Sequence, residues 1–330
     1  MLRAGAATED EKYRKAFDAA VDNGLAYLAK AQLPDGSFPS GMPRNTAVAS
    51  LSVMAFLAKG HLPGLGPYGD VINRGVDFVV SVQAPDGTLI GSGAGQMYSH
   101  NISTLMLSEV SGMVDPERQQ RVGAALGRAL YVILAAQQVH KGEAMKGGWR
   151  YEPKSHDSDL SHSGWAMMAL RSARNNGAPV PKEAIDDAAK FILRCRTADG
   201  GFAYGPDGSS SLALSGVGLL CLELSGHHRD EVTLKAGAHI QERFKKGWAG
   251  SYFFYGSYYC AQGMFQLGGT EWETFAPPLY ESLLKLQSAD GSWPNSPSTT
   301  GEDRPGPCYR TAMAILALSV SYRQLPIYQR

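Results

Sequence analysis

A short phrase recurs along the chain and limits what it can fold into. Gln32-Leu33-Pro34-Asp35-Gly36-Ser37-Phe38 returns as Gln83-Ala84-Pro85-Asp86-Gly87-Thr88-Leu89. It returns again as Arg196-Thr197-Ala198-Asp199-Gly200-Gly201-Phe202 and as Gln287-Ser288-Ala289-Asp290-Gly291-Ser292-Trp293. Reduced copies stand between: Gly147-Gly148-Trp149 after Gln137, and Lys246-Gly247-Trp248. The interval is about 45 to 60 residues, the range of tandem supersecondary units.

Each copy has the same flanks. An amphipathic segment precedes it. In the first, Tyr13, Phe17, Val21, Leu25 and Leu28 fall on one helix face. Thr8 and Glu11 read as its capping box. Asp115-Pro116 opens the third such helix and Pro181 the fourth. After each copy comes a segment apolar nearly all round: Thr46–Ala58, Ile102–Val110, Ser163–Ala173, Leu212–Leu224, Tyr259–Leu267 and Tyr309–Val320. A helix apolar on all sides is buried on all sides. Gly164, Gly216, Gly218 and Gly263 lie in these segments and predict close helix contacts, against a helix-propensity penalty of about 1 kcal/mol each.

The unit is therefore an amphipathic helix, an Asp-Gly turn and a buried helix, six times over. One such pair cannot bury its apolar face alone, so the units stack. An open stack needs polar end units, yet Ala312–Leu318 in the last is as apolar as the middle ones. That predicts closure: an all-α (α/α)6 toroid, buried helices inside and amphipathic ones outside. The length of 330 residues suggests two domains at about 150 each. The repeat replaces that with one ring over 1–330, its repeats spanning approximately 8–58, 68–112, 115–175, 180–225, 230–268 and 272–322. The 38 glycines find places in the turns and at helix contacts.

Charge excludes some partners. Lys plus Arg is 31 and Asp plus Glu is 31, so no global field favours nucleic acid or an anionic membrane. No run reaches the roughly 20 apolar residues of a membrane span; Leu212–Leu224 is the nearest. Met1 to Glu9 has no apolar core of a signal peptide, so the expected location is cytoplasmic. Cys195, Cys221, Cys260 and Cys308 stand far apart, with no CxxC pair, and read as reduced, buried thiols.

Gln-x-x-Asp-Gly-x-aromatic at this period resembles the repeats of squalene–hopene cyclases and protein prenyltransferase β subunits, over nearly the whole chain. The segments Gly148–Tyr151, Trp165–Leu170 and Tyr322–Tyr328 are also similar to a bacterial group of repeat proteins in that superfamily. The resemblance implies a toroid holding an isoprenoid-like apolar or prenyl ligand centrally, with chemistry at the N-terminal ends of the inner helices. If the chain is an enzyme, the resemblance implies the terpenoid cyclase or prenyltransferase type. Protonating cyclases carry Asp-x-Asp-Asp-Thr there. Alignment puts Asp159 at the first Asp, Ser161 at the proton-donor position and His162 next, so the donor acid is missing. The zinc of prenyltransferases would correspond to Cys260 and Cys308 at the starts of the last two inner helices. No matching Asp or His accompanies them, so no cofactor is assigned; zinc or another divalent metal is a question for the structure. Those enzymes also use a partner α subunit, which leaves room for a protein partner.

The densest acid–base cluster is His156, Asp157, Asp159 and His162. Asp159 and His162 are three apart, on one helix face. Asp157, Asp159 and His162 are the candidate catalytic residues; the plain alternative is that Asp159 or Ser161 only caps a helix. If the ring closes, Arg44 and Asn45, His100 and Asn101, Ser210 with Ser209 and Ser211, and Tyr309 and Arg310 converge on one rim. The helix dipoles there would favour an anionic group. Trp165, Tyr258 and Tyr259 join the candidate lining within the aromatic run Trp248–Tyr259, suited to a prenyl chain or a cation or to plain inter-repeat packing. Arg243, Lys245 and Lys246 read as a solvated helix end, and His227-His228 as a loop. Two other functions compete. A polysaccharide lyase or hydrolase would use Asp157, Asp159, His162 and Arg310 in a polar groove. A non-catalytic scaffold would show an exposed apolar patch.

Overall fold

The computed structural model describes residues 9–42, 44–91, 96–248, 251–295 and 301–328. Thr8, the expected cap of the first helix, lies outside them. The outer helices are α1 (Glu9–Ala31), α3 (Gly69–Ser81), α5 (Pro116–Gln138), α7 (Lys182–Arg194), α9 (Glu231–Lys245) and α11 (Gly269–Leu286). The inner helices are α2 (Thr46–Ala58), α4 (Gln96–Val110), α6 (Leu160–Asn175), α8 (Leu212–Leu224), α10 (Phe253–Leu267) and α12 (Gly306–Leu318). Each inner helix packs on the next, and α12 packs on α2, so the ring closes. A two-residue hairpin, β1 (Phe202–Ala203) with β2 (Ser210–Ser211), precedes α8.

Periodicity placed the outer faces: Phe17, Val21, Leu25 and Leu28 are wholly buried. Asp115 caps α5 through the Arg118 amide, with Pro116 at its first position. Helices α4, α6, α10 and α12 begin earlier than the expected runs. The first turns of α4 and α6 carry polar residues that hydropathy does not mark as helix. α12 also ends earlier than expected, at Leu318, and a 3-10 turn, Val320–Tyr322, follows it.

The recurring phrase builds a clasp. In the first turn Asp35 Oδ1 accepts the Ser37 amide, and Gly36 has φ 86°. A side chain on Gly36 would run into the Arg74 carbonyl of α3. Gln32 Nε2 donates to Gly36 O and to Val71 O of α3, at 3.1 and 2.9 Å. Gln83 repeats this with Gly87 O and Ala125 O, and Gln137 with Gly147 O and Ala184 O. Gln287 donates to Gly291 O and, at 2.8 Å, to Ala20 O of α1. The last repeat thus holds the first helix by the bond that joins internal neighbours. The fourth copy has Arg196 in place of Gln, and His239 of α9 contacts Asp199 O instead.

Glycines bring the inner helices together. A Cβ on Gly216 of α8 would lie 2.7 Å from the Cys260 amide nitrogen of α10. Backbone cannot step aside as a side chain can. Gly216→Ala gains about 1 kcal/mol of helix propensity, yet overpacking costs about 1–3 kcal/mol or more. We expect net destabilisation, read as a lower urea midpoint; an unchanged or raised midpoint would show that α8 and α10 are not in close contact.

The C-terminal ends of the inner helices are filled by the segment Val320–Tyr328. Glu109, buried at the end of α4, accepts the Ile327 amide at 3.2 Å and the Ser172 hydroxyl. Tyr328 OH pairs with Tyr258 OH at 2.6 Å.

Candidate functional site

The opposite, N-terminal ends of the inner helices surround a cavity of about 880 Å³. Each inner helix contributes: Asn45 and Val48 from α2, Tyr98 and Ile102 from α4, Ser161 and Trp165 from α6, Ser211 and Leu212 around the start of α8, Tyr255 from α10, and Tyr309 and Met313 from α12. Tyr151, Tyr204, Trp248 and Tyr252 add rings from the connecting segments. The volume lies within the roughly 300–1,000 Å³ of small-molecule pockets.

One wall carries a buried polar network at the start of α6. Asp159 caps that helix: Oδ1 accepts the His162 amide at 2.9 Å and the Ser161 hydroxyl at 2.7 Å. Its Oδ2 lies 2.8 Å from His162 Nδ1. Capping and the carboxylate–imidazole pair are thus properties of one residue. Tyr98 OH donates to Ser161 Oγ at 2.6 Å. The His162 ring sits between Tyr98 and Tyr151, centroids 3.8 and 4.3 Å away, and its Nε2 has no partner in the protein. Burial pushes the Asp159 carboxyl up, but hydrogen bonds from His162 and Ser161 outweigh it and hold the group below its ordinary range. A carboxyl held ionised has no proton to give, and its lowered pKa also makes it a weak base. Arg150 lies over Tyr151 and Tyr204, and its guanidinium reaches Asp157 at 3.3 Å and Asp159 at 3.6 Å.

Glu302 sits on the wall formed by α10. It is buried, and its oxygens accept the Phe254 and Tyr255 amides at 3.1 and 2.8 Å. Burial pushes its carboxyl up to about 7. Asn45 caps α2 and Ser211 caps α8. Four inner-helix N-termini are therefore capped by side chains, two of them carboxyls. At these four ends the dipole expected to draw an anion is already answered from within the protein.

The structure separates the candidate residues. Asp159 and His162 meet next to the cavity, and Asn45, Trp165 and Tyr309 line it. Asp157 lies half exposed beyond Arg150, away from the lining. Arg44 binds Asp35 and covers the Phe78 ring. His100 is a clasp: its Nδ1 accepts the Leu89 amide and its Nε2 bonds Ala129 O, while burial lowers its pKa to about 4 and keeps it neutral. Asn101 donates to His162 O at 3.3 Å, and Ser210 to Asp199. Tyr258 stacks against Trp165 and Tyr259 meets it edge-on, both beneath the cavity. Cys260 is buried at the α8–α10 contact, its Sγ directed at Leu212 O. Burial pushes the Cys308 thiol up to about 11. Arg310 donates to the carbonyls of Trp293 and Glu302. Among the described residues, no group of three or more His, Cys, Asp or Glu could hold a metal ion. No helix among them is long and apolar enough to cross a membrane.

Sequence reasoning did not single out Tyr98, Tyr204 or Glu302. Tyr98 precedes the apolar run that marked its helix, and Glu302 lies in a loop whose partner, α10, is 47 residues away. No short-range pattern reports either.

The closed ring is shared with solved structures. A type II terpene cyclase from Scytonema, in complex with its product merosterolic acid A, superposes with a TM-score of 0.61 over 95% of this chain and 99% of that one, at 15% identity. The chain has the same α/α toroid fold. Two drimenyl diphosphate synthases agree in sequence. The one from Streptantibioticus cattleyicolor is 25% identical over 184 residues, and the one from Streptomyces showdoensis 28% over 193. These matches cover 55% and 57% of the toroid chain, and the chain spans about a third of each relative's length (31% and 33%). An inactive variant of an α-1,6-mannanase of Salegentibacter, in complex with α-1,6-mannotriose, has a TM-score of 0.70 at 8% identity, over 93% of the toroid and 99% of that chain. No family model matches the chain.

Proposed function

We propose that the toroid binds an isoprenoid-like apolar ligand in its central cavity, with Asp159 and His162 at the ligand's reactive end. The observation that carries this is the lining: eight aromatic side chains with Ile102, Val48, Leu212 and Met313, around about 880 Å³. Such a wall offers dispersion contact and negative ring faces, which suit a polyene or a developing carbocation. The terpene cyclase relatives support the same ligand class. The residue at the donor position is Ser161, whose hydroxyl is spent on Asp159. Neither Ser161 nor the ionised Asp159 offers a proton, so these residues do not favour alkene protonation.

The mannanase likeness supports a glycoside hydrolase reading at the level of fold. Glycoside hydrolysis uses two carboxyls flanking the bond. Among the described lining residues the carboxyl is Glu302, and both its oxygens hold α10 amides. The lining therefore favours the isoprenoid.

Trp165 and Trp248 report occupancy. Titration of the full chain with farnesol is expected to quench tryptophan fluorescence saturably, at one ligand per chain by native mass spectrometry. α-1,6-Mannotriose is expected to leave the signal unchanged. Saturation by mannotriose with no response to farnesol would reverse the assignment.

A further inference from the structure

Among the described residues, four other than glycine have positive φ: Arg44, Arg229, Tyr252 and Arg323. That conformation is unfavourable for a bulky side chain, so the surroundings must hold it. Arg44 pairs with Asp35. Arg229 donates from its amide to Glu223 and from its guanidinium to Leu267 O. Arg323 lies over the Phe265 ring. Tyr252 is held differently. It stands at the N-cap of α10 with φ 66°. An N-cap ordinarily has extended backbone and a side chain that accepts an amide. Tyr252 has neither. Glu302 caps the helix instead, taking the Phe254 and Tyr255 amides at 3.1 and 2.8 Å. Gly or Asn would fit this backbone with less strain. Folding alone therefore does not call for a tyrosine here.

The surroundings of the ring supply a reason. Tyr252 lines the cavity and is 51% exposed. Its hydroxyl lies within electrostatic reach of Tyr98 and Tyr309, two other lining residues. Tyr151 and Tyr204 are the other exposed rings of the lining, but both are engaged: Tyr204 donates to Tyr151, and Arg150 lies over the two rings. Among the described residues the Tyr252 side chain has no hydrogen bond and no ring or cation partner, and its ring rests on Gly301. The ring is thus supported by backbone and otherwise reachable from the cavity. Strained residues of this kind gather at ligand clamps, and an accessible aromatic ring is a surface on which an apolar chain packs.

We infer that Tyr252 is a ligand-contacting residue at the exposed edge of the cavity: its ring packs against the bound chain and fixes how that chain is seated. This rests on the isoprenoid reading and deepens it by naming a residue that holds the ligand at the strain of its own backbone.

The test is calorimetric titration of the full chain with farnesol, beside urea unfolding, for the unmodified chain and for Tyr252→Gly, Tyr252→Asn and Tyr252→Phe. Gly and Asn suit a positive φ and remove the ring, whereas Phe keeps both ring and strain. The Gly and Asn variants are expected to keep or raise the urea midpoint, yet to bind farnesol about tenfold more weakly, the worth of a good aromatic contact. The Phe variant should bind within about twofold of the unmodified chain. Stability and affinity then move apart, whereas a structural role would lower them together. A lowered midpoint in both the Gly and Asn variants overturns the inference. Unchanged farnesol affinity in those variants does the same and leaves the isoprenoid reading standing. So does weak binding by the Gly variant alone, since the effect is then one of backbone freedom. A Phe variant as weak as the Gly variant overturns the ring contact. No binding of farnesol by the unmodified chain overturns the isoprenoid reading and this inference with it.

Discussion

Trp293→Ala is expected to cost about 3–5 kcal/mol, the usual range for emptying a buried Trp site. Trp293 is the aromatic of the last recurring phrase, and it is wholly buried. Its indole N–H donates to Leu283 O of α11 at 2.8 Å, and its ring packs against Gly24 of α1. Its backbone amide donates to Thr311 Oγ1 and its carbonyl accepts from Arg310. The residue therefore joins α11 and α12 to the first helix. A domain is stable by about 5–15 kcal/mol in all, so this loss takes a large share. Trp149→Ala supplies the comparison. Trp149 is as buried, and its indole donates to Ile133 O within the third repeat. Equal losses at the two sites, measured by urea unfolding, are the signature of a closed ring. A Trp293 loss under half of the Trp149 loss would mean that the seam between α1 and α12 is open in solution.

The second large effect is at Asp159. Asp159→Ala removes the cap of α6 and leaves buried His162 Nδ1 and the Ser161 hydroxyl without their acceptor. Leaving a buried polar group without its partner costs about 1–3 kcal/mol, and losing the cap costs about 1 kcal/mol more. Asp159→Asn keeps an oxygen for the cap and should lose less. The pH dependence has a definite sign. Hydrogen bonds from His162 and Ser161 overcome the upward push of burial, so the folded carboxyl titrates below its unfolded value of 3.8. Its contribution is present above about pH 4 and fades as the pH falls through the lower folded value. The wild-type chain should therefore lose its advantage over Asp159→Ala in strong acid. Equal melting of wild type and both variants at pH 7 would remove the network from the account of stability.

These two residues show what a sequence can and cannot carry. Trp293 was legible because its role is local and repeated: a turn, an aromatic and a following helix occur at a fixed spacing. Gln287 belongs to the same pattern, from which the stack of repeats follows; its closure was read from the apolar Ala312–Leu318. Asp159 and His162 were legible as a pair because three-residue spacing on a helix is also local. Their partner Tyr98 lies 63 residues from Ser161, and Glu302 lies 47 residues from the amide it caps. Such meetings depend on how six helix starts are arranged in space, which no single repeat encodes. Neither did spacing tell apart residues that share a rim position. His100 is turned outward to Leu89 and Ala129, whereas Ser161, likewise early in its inner helix, meets the cavity.

The bond from Gln287 to Ala20 has a consequence for how such a molecule comes apart. A linear stack of repeats has two end units with a neighbour on one side only, and those melt first. Joined head to tail, the six pairs have no ends to fray from. Opening any one pair breaks contacts on both of its sides, so local openings should be rare and the whole should unfold as one cooperative body. The inner walls of the cavity then stay put for as long as the circle does, and a bound molecule faces a rigid container rather than a flexible cleft.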